Sequence, residues 1–347
     1  MIVTATPYRV SFFGGGTDYP VWFKKHGGAV LSTTINRYCY IQCRYLPPFF
    51  EHKHRIVWSH IETPSTVEEI EHPVVRAALL HTGIHRGIEI HHMGDMPARA
   101  GIGSSSSFAA GVLNALHTIN GKMISKQNLA KEAIYLEQDL LKENVGIQDQ
   151  ISAVYGGLNM IEFDQRGEFS VRPVPLTNSR RIDFFDHLVL MFTGVSRYAS
   201  VVATHTINSI PNKTDVLHQM RALVDEGAQI LVNSATPIEK FGELLHKSWM
   251  LKRSIDPNIS GPEIDGLYQR ARKAGAIGGK LLGAGGGGFF LFFLKPEDRE
   301  KLKAEFNDYL FVPLQGEDRG SHVKFYTDDE YELGISASDK VRLGQAG

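Results

Sequence analysis

Three glycine-rich stretches and one pair of carboxylates hold the residue types from which chemistry can be built in this 347-residue chain. The most specific begins at Pro97 and runs through Gly101, Ile102, Gly103, Ser104, Ser105, Ser106 and Ser107 into an apolar segment. Glycines let a backbone turn tightly around a ligand, and the free N–H groups of a helix start offer donors to phosphate oxygens. Serine hydroxyls add donors or ligate a hard cation, and four in succession exceed what one N-cap requires. A phosphate site is one reading; a capped core helix is the other.

The stretch PYRVSFFGGGTDYP sets Arg9 ahead of Gly15, Gly16, Thr17, Asp18 and Tyr19. Arg9 is a permanent cation able to face a phosphate or a hydroxyl, and Asp18 can accept from adjacent sugar hydroxyls, with Thr17 and Tyr19 as neutral polar edges. An exposed strand arginine and a turn carboxylate form the structural alternative. GAGGGG at 283–288, which includes Gly285 and Gly286, suits close approach to a substrate phosphate or to a neighbouring loop. In EQDLLKENVGIQDQ, Glu137 and Asp149 flank the break at Gly146, so a folded turn can return both to one cavity. One carboxylate could then hold magnesium while the other orients a hydroxyl nucleophile or accepts its proton; solvated helix charges are the plainer account of either alone.

The elements that must position these residues read as follows. VTATPYRVSFF, AVLSTTINRYCYIQCRYL, HRIVWS and GIEIHHMGD have strand composition, and HPVVRAALLHTG is helical. The serine loop feeds a helix in which Phe108, Val112, Leu113 and Leu116 recur at helical spacing. A second helix covers about 125–143, IQDQISAVYGG is a shorter one, and LNMIEF and FSVRPVPL are strands. VPLTNSRRIDFFD at 174–186 reads as a polar turn where one unit ends. HLVLMFTG then begins a second unit with helices near 212–234, 238–254, 261–274 and 296–306, completed by the strand HVKFY; GISASDKVRLGQAG is a weakly ordered tail. The expected division is 1–180 and 186–340.

Together, PYRVSFFGGGTDYP, PARAGIGSSSS and KLLGAGGGGFFLFF resemble, in this order, the three motifs of the GHMP kinase superfamily, across essentially the whole chain. That resemblance implies a two-domain α+β fold with the active site between the domains, and transfer from ATP to a hydroxyl with Mg2+. The GGGTDYP and QDQISAVYGG segments are similar to sugar kinases of the D-glycero-D-manno-heptose phosphate type; galactokinases carry GEHTDY where this chain has glycines. By resemblance Asp149 is the catalytic aspartate, Arg9 assists the reacting oxygen, Pro97 to Ser107 wrap the nucleotide phosphates, and Ser105 with Glu137 binds magnesium. The first loop, with Asp18, holds the sugar, and Gly285 and Gly286 support the acceptor side. The implied acceptor is heptose 7-phosphate, phosphorylated at its anomeric hydroxyl, with a fucose-type 1-kinase or a non-catalytic phosphosugar-binding regulator as alternatives. Lys24, Lys25, Arg37, Arg44 and Arg197 are the candidates for its distant phosphate.

Composition narrows the partners. With 37 Lys and Arg against 38 Asp and Glu, the net charge of −1 opposes a broad nucleic-acid surface. The longest apolar run, FFLFFL, is too short for a bilayer span, and the start MIVTATPYRV reads as a strand, so a cytoplasmic location and a small-molecule partner are expected; neither monomer nor homo-oligomer is selected. Cys39 and Cys43 share one strand face and read as buried thiols. Gly-Lys pairs lack the P-loop continuation, and no H-E-x-x-H or G-x-S-x-G occurs.

Overall fold

The structure, a computed structural model, describes residues 1–47, 49–194 and 199–327. Arg197 and the expected C-terminal tail lie outside the described residues.

The chain opens with strand β1 (Ile2–Phe13), a short helix α1 (Pro20–His26) and the long strand β2 (Gly28–Tyr45). Proline at the first turn of α1 starts a helix that composition alone does not announce. The antiparallel β1–β2 pair is the spine of an eight-stranded sheet. Strands β3 (Arg55–Val57), β4 (Ile61–Glu62), β5 (Ile88–Gly94), β6 (Leu158–Phe163) and β7 (Phe169–Pro173) extend it; β5 pairs with the second half of β2 and β6 with the first. Cys39 and Cys43 are free and buried within β2, as alternation predicts.

Helix α2 (Pro73–Thr82) packs on helix α3 (Ser104–Ile119), which crosses β1 and β2 with Val112, Leu113, Ala115 and Leu116 fully enclosed. Helix α4 (Lys126–Tyr135) continues as a π-helical turn over Leu136–Leu140, and α5 (Gln148–Tyr155) lies against α3. Residues 174–186 are not the expected turn. Thr177 caps helix α6 (Asn178–Asp186) by accepting from the Arg180 N–H, and Phe184 and Phe185 bury its inner face.

The second sheet has the order β11-β8-β10-β9, built from β8 (Leu188–Phe192), β9 (Gly278–Leu281), β10 (Phe289–Phe293) and β11 (Leu310–Val312). Around it stand helices α7 (Ala199–Ser209), α8 (Thr214–Val232), α9 (Glu239–Arg253), α10 (Pro262–Lys273) and α11 (Arg299–Glu305). HVKFY does form a strand, β12 (His322–Tyr326), but it pairs with β1 and so returns to the first sheet instead of completing the second unit. The halves are joined by an edge-to-face cluster in which Phe12 and Phe13 of β1 meet Phe184 and Phe241, ring centroids 5.0–5.4 Å apart. That junction fixes α9 and β9 against β1, where the cleft opens.

Candidate active site

One cavity of about 890 Å³ runs between the halves, and residues from all three glycine-rich stretches reach it. Its floor is an ion pair. Arg9 donates from Nε and Nη2 to the two carboxylate oxygens of Asp149 at 2.7 and 2.6 Å, and from Nη1 to the Gly101 carbonyl at 2.7 Å. Arg9 comes from the middle of β1 and is buried, whereas Asp149 sits in the first turn of α5 and keeps a quarter of its side chain open. The fork geometry orients the carboxylate without closing its cavity-facing side.

Asp18 lies above this pair in a tighter setting. Its carboxylate accepts from the Gly16 N–H and from Gln148 Nε2, both at 2.9 Å, and burial raises its pKa, with the nearby Asp149 charge adding to the effect. Buried atoms without a protein partner surround it: Ser11 Oγ and Gln148 Oε1 both belong to residues lining the cavity. Gly15 passes between them with no side chain to cover either. Tyr19 also lines the cavity, its hydroxyl kept protonated by burial and by the two aspartates. Thr17 does not reach it. Its hydroxyl is spent on the carbonyls of Gly14 and Ala29, so it shapes the loop.

The four serines divide the same way. Gly103, in the left-handed region at φ 74°, precedes the first residue of α3, and Ser104 and Ser105 face the cavity. Ser106 turns inward and donates to Glu137 at 2.6 Å, while Ser107 donates to the Pro7 carbonyl at 3.0 Å. Helical periodicity dictates this split, since residues two apart point to different sides. Ile102 and Pro97 are not cavity residues; the Ile102 carbonyl instead accepts from the Arg9 N–H at 3.0 Å.

Glu137 is buried and not a solvated helix charge: it accepts from Ser106, Gln150 and Ser105, and burial pushes its pKa up to about 7 against those hydrogen bonds. Ser105 therefore bridges the cavity surface and this carboxylate. Hard oxygen donors suit magnesium, which is commonly held by one or two protein ligands plus phosphate and water. Ser105 and Glu137 supply two such oxygen donors beside the cavity.

The third loop has a structural role. A Cβ on Gly283 would fall 2.4 Å from the Gly101 Cα, so the second and third loops touch backbone to backbone. Gly283 and Ala284 border the cavity, but Gly285 and Gly286 face Ile259, whose carbonyl accepts from the Gly286 N–H at 3.0 Å.

Trp58 and His72 line the cavity without any local signal in the sequence, whereas the adjacent His91 and His92 allowed one of the two to face inward. Trp58, His72, His92 and Phe108 form an aromatic slot beyond the serines, with His72 stacked on Phe108 at 4.7 Å and Trp58 edge-on to His72 at 4.8 Å. Glu62 fixes it by accepting from Trp58 Nε1 at 2.7 Å and from the His72 N–H at 3.2 Å. Burial lowers the pKa of His72 and of His92, which favours their neutral rings. Of the pair His91-His92 one residue alone faces the cavity, as strand alternation requires. Lys24, Lys25, Arg37 and Arg44 line none of it; Arg44 is paired with Glu89. Lys252 of α9 and Lys280 of β9 occupy the wall instead.

Comparison with known proteins gives two family matches, to the GHMP kinases N terminal domain over residues 70–157 and to the GHMP kinases C terminal over 233–311. The D-glycero-alpha-D-manno-heptose 7-phosphate kinase of Campylobacter jejuni is 29% identical over 321 residues, covering 87% of this chain and 91% of that protein. The bifunctional fucokinase/GDP-fucose pyrophosphorylase of Arabidopsis thaliana is 29% identical over 324 residues, which is 86% of this chain but only 30% of that protein. Among solved structures, a D-glycero-D-manno-heptose 1-phosphate kinase from Bacteroides thetaiotaomicron has the same fold, with TM-score 0.77 and 21% identity over 94% of this chain and all of that one. A sugar kinase structure from Campylobacter jejuni superposes with TM-score 0.68 at 25% identity, covering 93% and 97%.

Proposed function

The chain belongs to the GHMP kinase superfamily, and from that premise we propose that it is an ATP-dependent sugar kinase acting on the anomeric hydroxyl of D-glycero-D-manno-heptose 7-phosphate, with the 1,7-bisphosphate as product. One observation carries the reading: the Arg9–Asp149 pair lies in a single cavity with the serine-rich start of α3 and the buried polar cluster around Asp18. Nucleophile activation, phosphate cradle and hydroxyl recognition are thereby brought together.

In this reading Asp18 and Gln148 Oε1 hold sugar hydroxyls, which satisfies an amide oxygen that otherwise lacks a partner. Asp149, aimed by Arg9, accepts the proton of the anomeric hydroxyl as its oxygen attacks the terminal phosphorus of ATP. The bond to the bridging oxygen breaks and ADP leaves. A positioned base of this kind contributes about 10²- to 10⁴-fold in rate. The first-turn N–H groups of α3 and the hydroxyls of Ser104 and Ser105 donate to phosphate oxygens, and the aromatic slot of Trp58, His72 and Phe108 takes the flat base. Ser105 and Glu137 would hold a magnesium ion, which when bound neutralises charge developing on the phosphates.

Relatives at a similar level of identity act on fucose by name, and a fucose-type 1-kinase is the second reading. ADP formation with ATP and magnesium, measured against heptose 7-phosphate, heptose, fucose and galactose, separates the readings. Turnover is expected with heptose 7-phosphate at least tenfold above fucose. Reversal of that order assigns the chain to the fucose type, and no ADP with any sugar supports a non-catalytic binder.

A further inference from the structure

Arg9, Lys252 and Lys280 bring three cations from three elements to one wall of the cavity, facing two carboxylates, Asp18 and Asp149. Arg9 already has its counter-charge in Asp149 and spends a third donor on the Gly101 carbonyl. The lysines have no carboxylate partner among the described residues. Lys252 Nζ donates to the carbonyls of Leu281 and Gly283 at 2.9 and 2.6 Å; Lys280, 3% exposed, donates to the Phe12 carbonyl alone, at 2.9 Å. An ammonium carries three donors, so one remains on Lys252 and two on Lys280. Ser11 Oγ, one residue before Phe12, is buried and without a partner.

Unspent donors on the buried Lys280 ammonium and on the half-buried Lys252 beside it are expensive, and a hydrophobic residue of similar volume would serve packing better. Their position beside the reacting pair points to a ligand that supplies the missing counter-charge. We infer that Lys252, Lys280 and Ser11 form a second phosphate site in the cavity, separate from the start of α3, that takes a phosphate dianion. Burial and mutual repulsion hold both lysines below their ordinary pKa, Lys252 at about 7, and a bound dianion would restore their charge. The inference builds on the kinase reading. Two sources share the chemistry: the phosphoryl group in transit from the nucleotide, or a phosphate already carried by the sugar.

Calorimetric titration of the full chain and of the variants K252M and K280M distinguishes them, with inorganic phosphate, ADP, the nonhydrolysable β,γ-imido analogue of ATP, heptose and heptose 7-phosphate as probes. Both variants are expected to bind ADP within twofold of the parent and to lose at least tenfold for inorganic phosphate. If the site holds the group in transit, the advantage of the imido analogue over ADP disappears. If it holds the sugar's phosphate, that advantage persists and the preference for heptose 7-phosphate over heptose falls at least tenfold. Phosphate affinity and both preferences unchanged within twofold would overturn the site. Methionine keeps the stem and removes the charge, so melting temperature at pH 7 should hold or rise; a fall with ligand preferences intact makes Lys280 a structural tie to Phe12 and also overturns it. Should K280M fail to fold, K252M decides by the same readouts. A parent chain that forms no ADP with any sugar, yet loses phosphate affinity in K280M, sinks the kinase reading and leaves the anion site standing.

Discussion

Asp149 and Asp18 share a cavity, and the different tasks proposed for them follow from their different neighbours. Asp149 meets a guanidinium fork and keeps an open side, while Asp18 is enclosed by the Gly16 N–H and the Gln148 amide. Asp149→Asn (D149N) sets an amide donor against the Arg9 donors and removes the proton acceptor, so turnover should drop about 10²- to 10⁴-fold while nucleotide affinity stays near that of the parent. Asp18→Asn (D18N) retains an oxygen for the Gly16 N–H and places its other group against Gln148. It should raise the acceptor KM roughly ten- to a hundredfold, in line with a lost charged hydrogen bond, with a smaller effect on kcat. Steady-state kinetics of the two proteins provide the check. Equal KM and kcat effects in both would remove the division of labour proposed for them.

At the scale of elements, the site depends on backbone surfaces that only glycine permits. The second and third loops meet where Gly283, at φ 68°, faces the Gly101 Cα, and a methyl group there would collide with main chain. Gly121 has nearly the same conformation, φ 67°, with nothing within 4 Å. Gly121→Ala should therefore cost only the left-handed strain, about 1–2 kcal/mol, whereas Gly283→Ala must also part the loops. We expect Gly283→Ala to lower the melting temperature further and to weaken ADP binding at least tenfold, with Gly121→Ala binding ADP normally. Matching losses in the two variants would argue against contact between the loops as the reason for the glycine. The serine run shows the same dependence on geometry: its composition allows a phosphate site across all four residues, yet helical periodicity leaves only Ser104 and Ser105 facing the cavity.

For the whole molecule, forming the cavity means burying cations from both halves, and stability should register that. Lys252 is near Arg9 and Asp18, adds to the field on Lys280, and burial brings its pKa from 10.5 to about 7. Between those pH values the unfolded chain holds a proton that the folded chain has released, so this group makes stability rise with pH across the window, with its full cost present below pH 7. Lys252→Met (K252M) removes that slope. Its melting temperature, relative to the parent, should be most favourable at and below pH 7 and should decline steadily toward pH 10. Glu137, which also titrates near 7, is common to both proteins and cancels in the difference. A difference independent of pH would mean that Lys252 is not held in a site hostile to its charge.

The sequence by itself determined the superfamily, the two-domain α+β fold, and the residues that interact through local pattern: the glycine turns, the helix that follows the serine run, though not its start within that run at Ser104, and the candidacy of Arg9, Asp18, Glu137 and Asp149. These are short-range features, legible because glycine spacing, hydroxyl runs and apolar periodicity act within a few residues of themselves. Tertiary structure alone decided the rest. It sent β12 back to β1, turned 178–186 into a helix by burying Phe184 and Phe185, spent Thr17 on its own loop, and converted Gly285 and Gly286 from ligand contacts into contacts with Ile259. It also put Lys252 and Trp58, which lie far in sequence from the motifs, into the cavity beside Lys280, the first residue of the third motif. The physical reason is that a side chain's chemistry is local, but its burial, its partners and the direction it faces are set by how the folded chain packs around it, as Phe12 does for Lys280 and Asp149 for Arg9 from more than a hundred residues away.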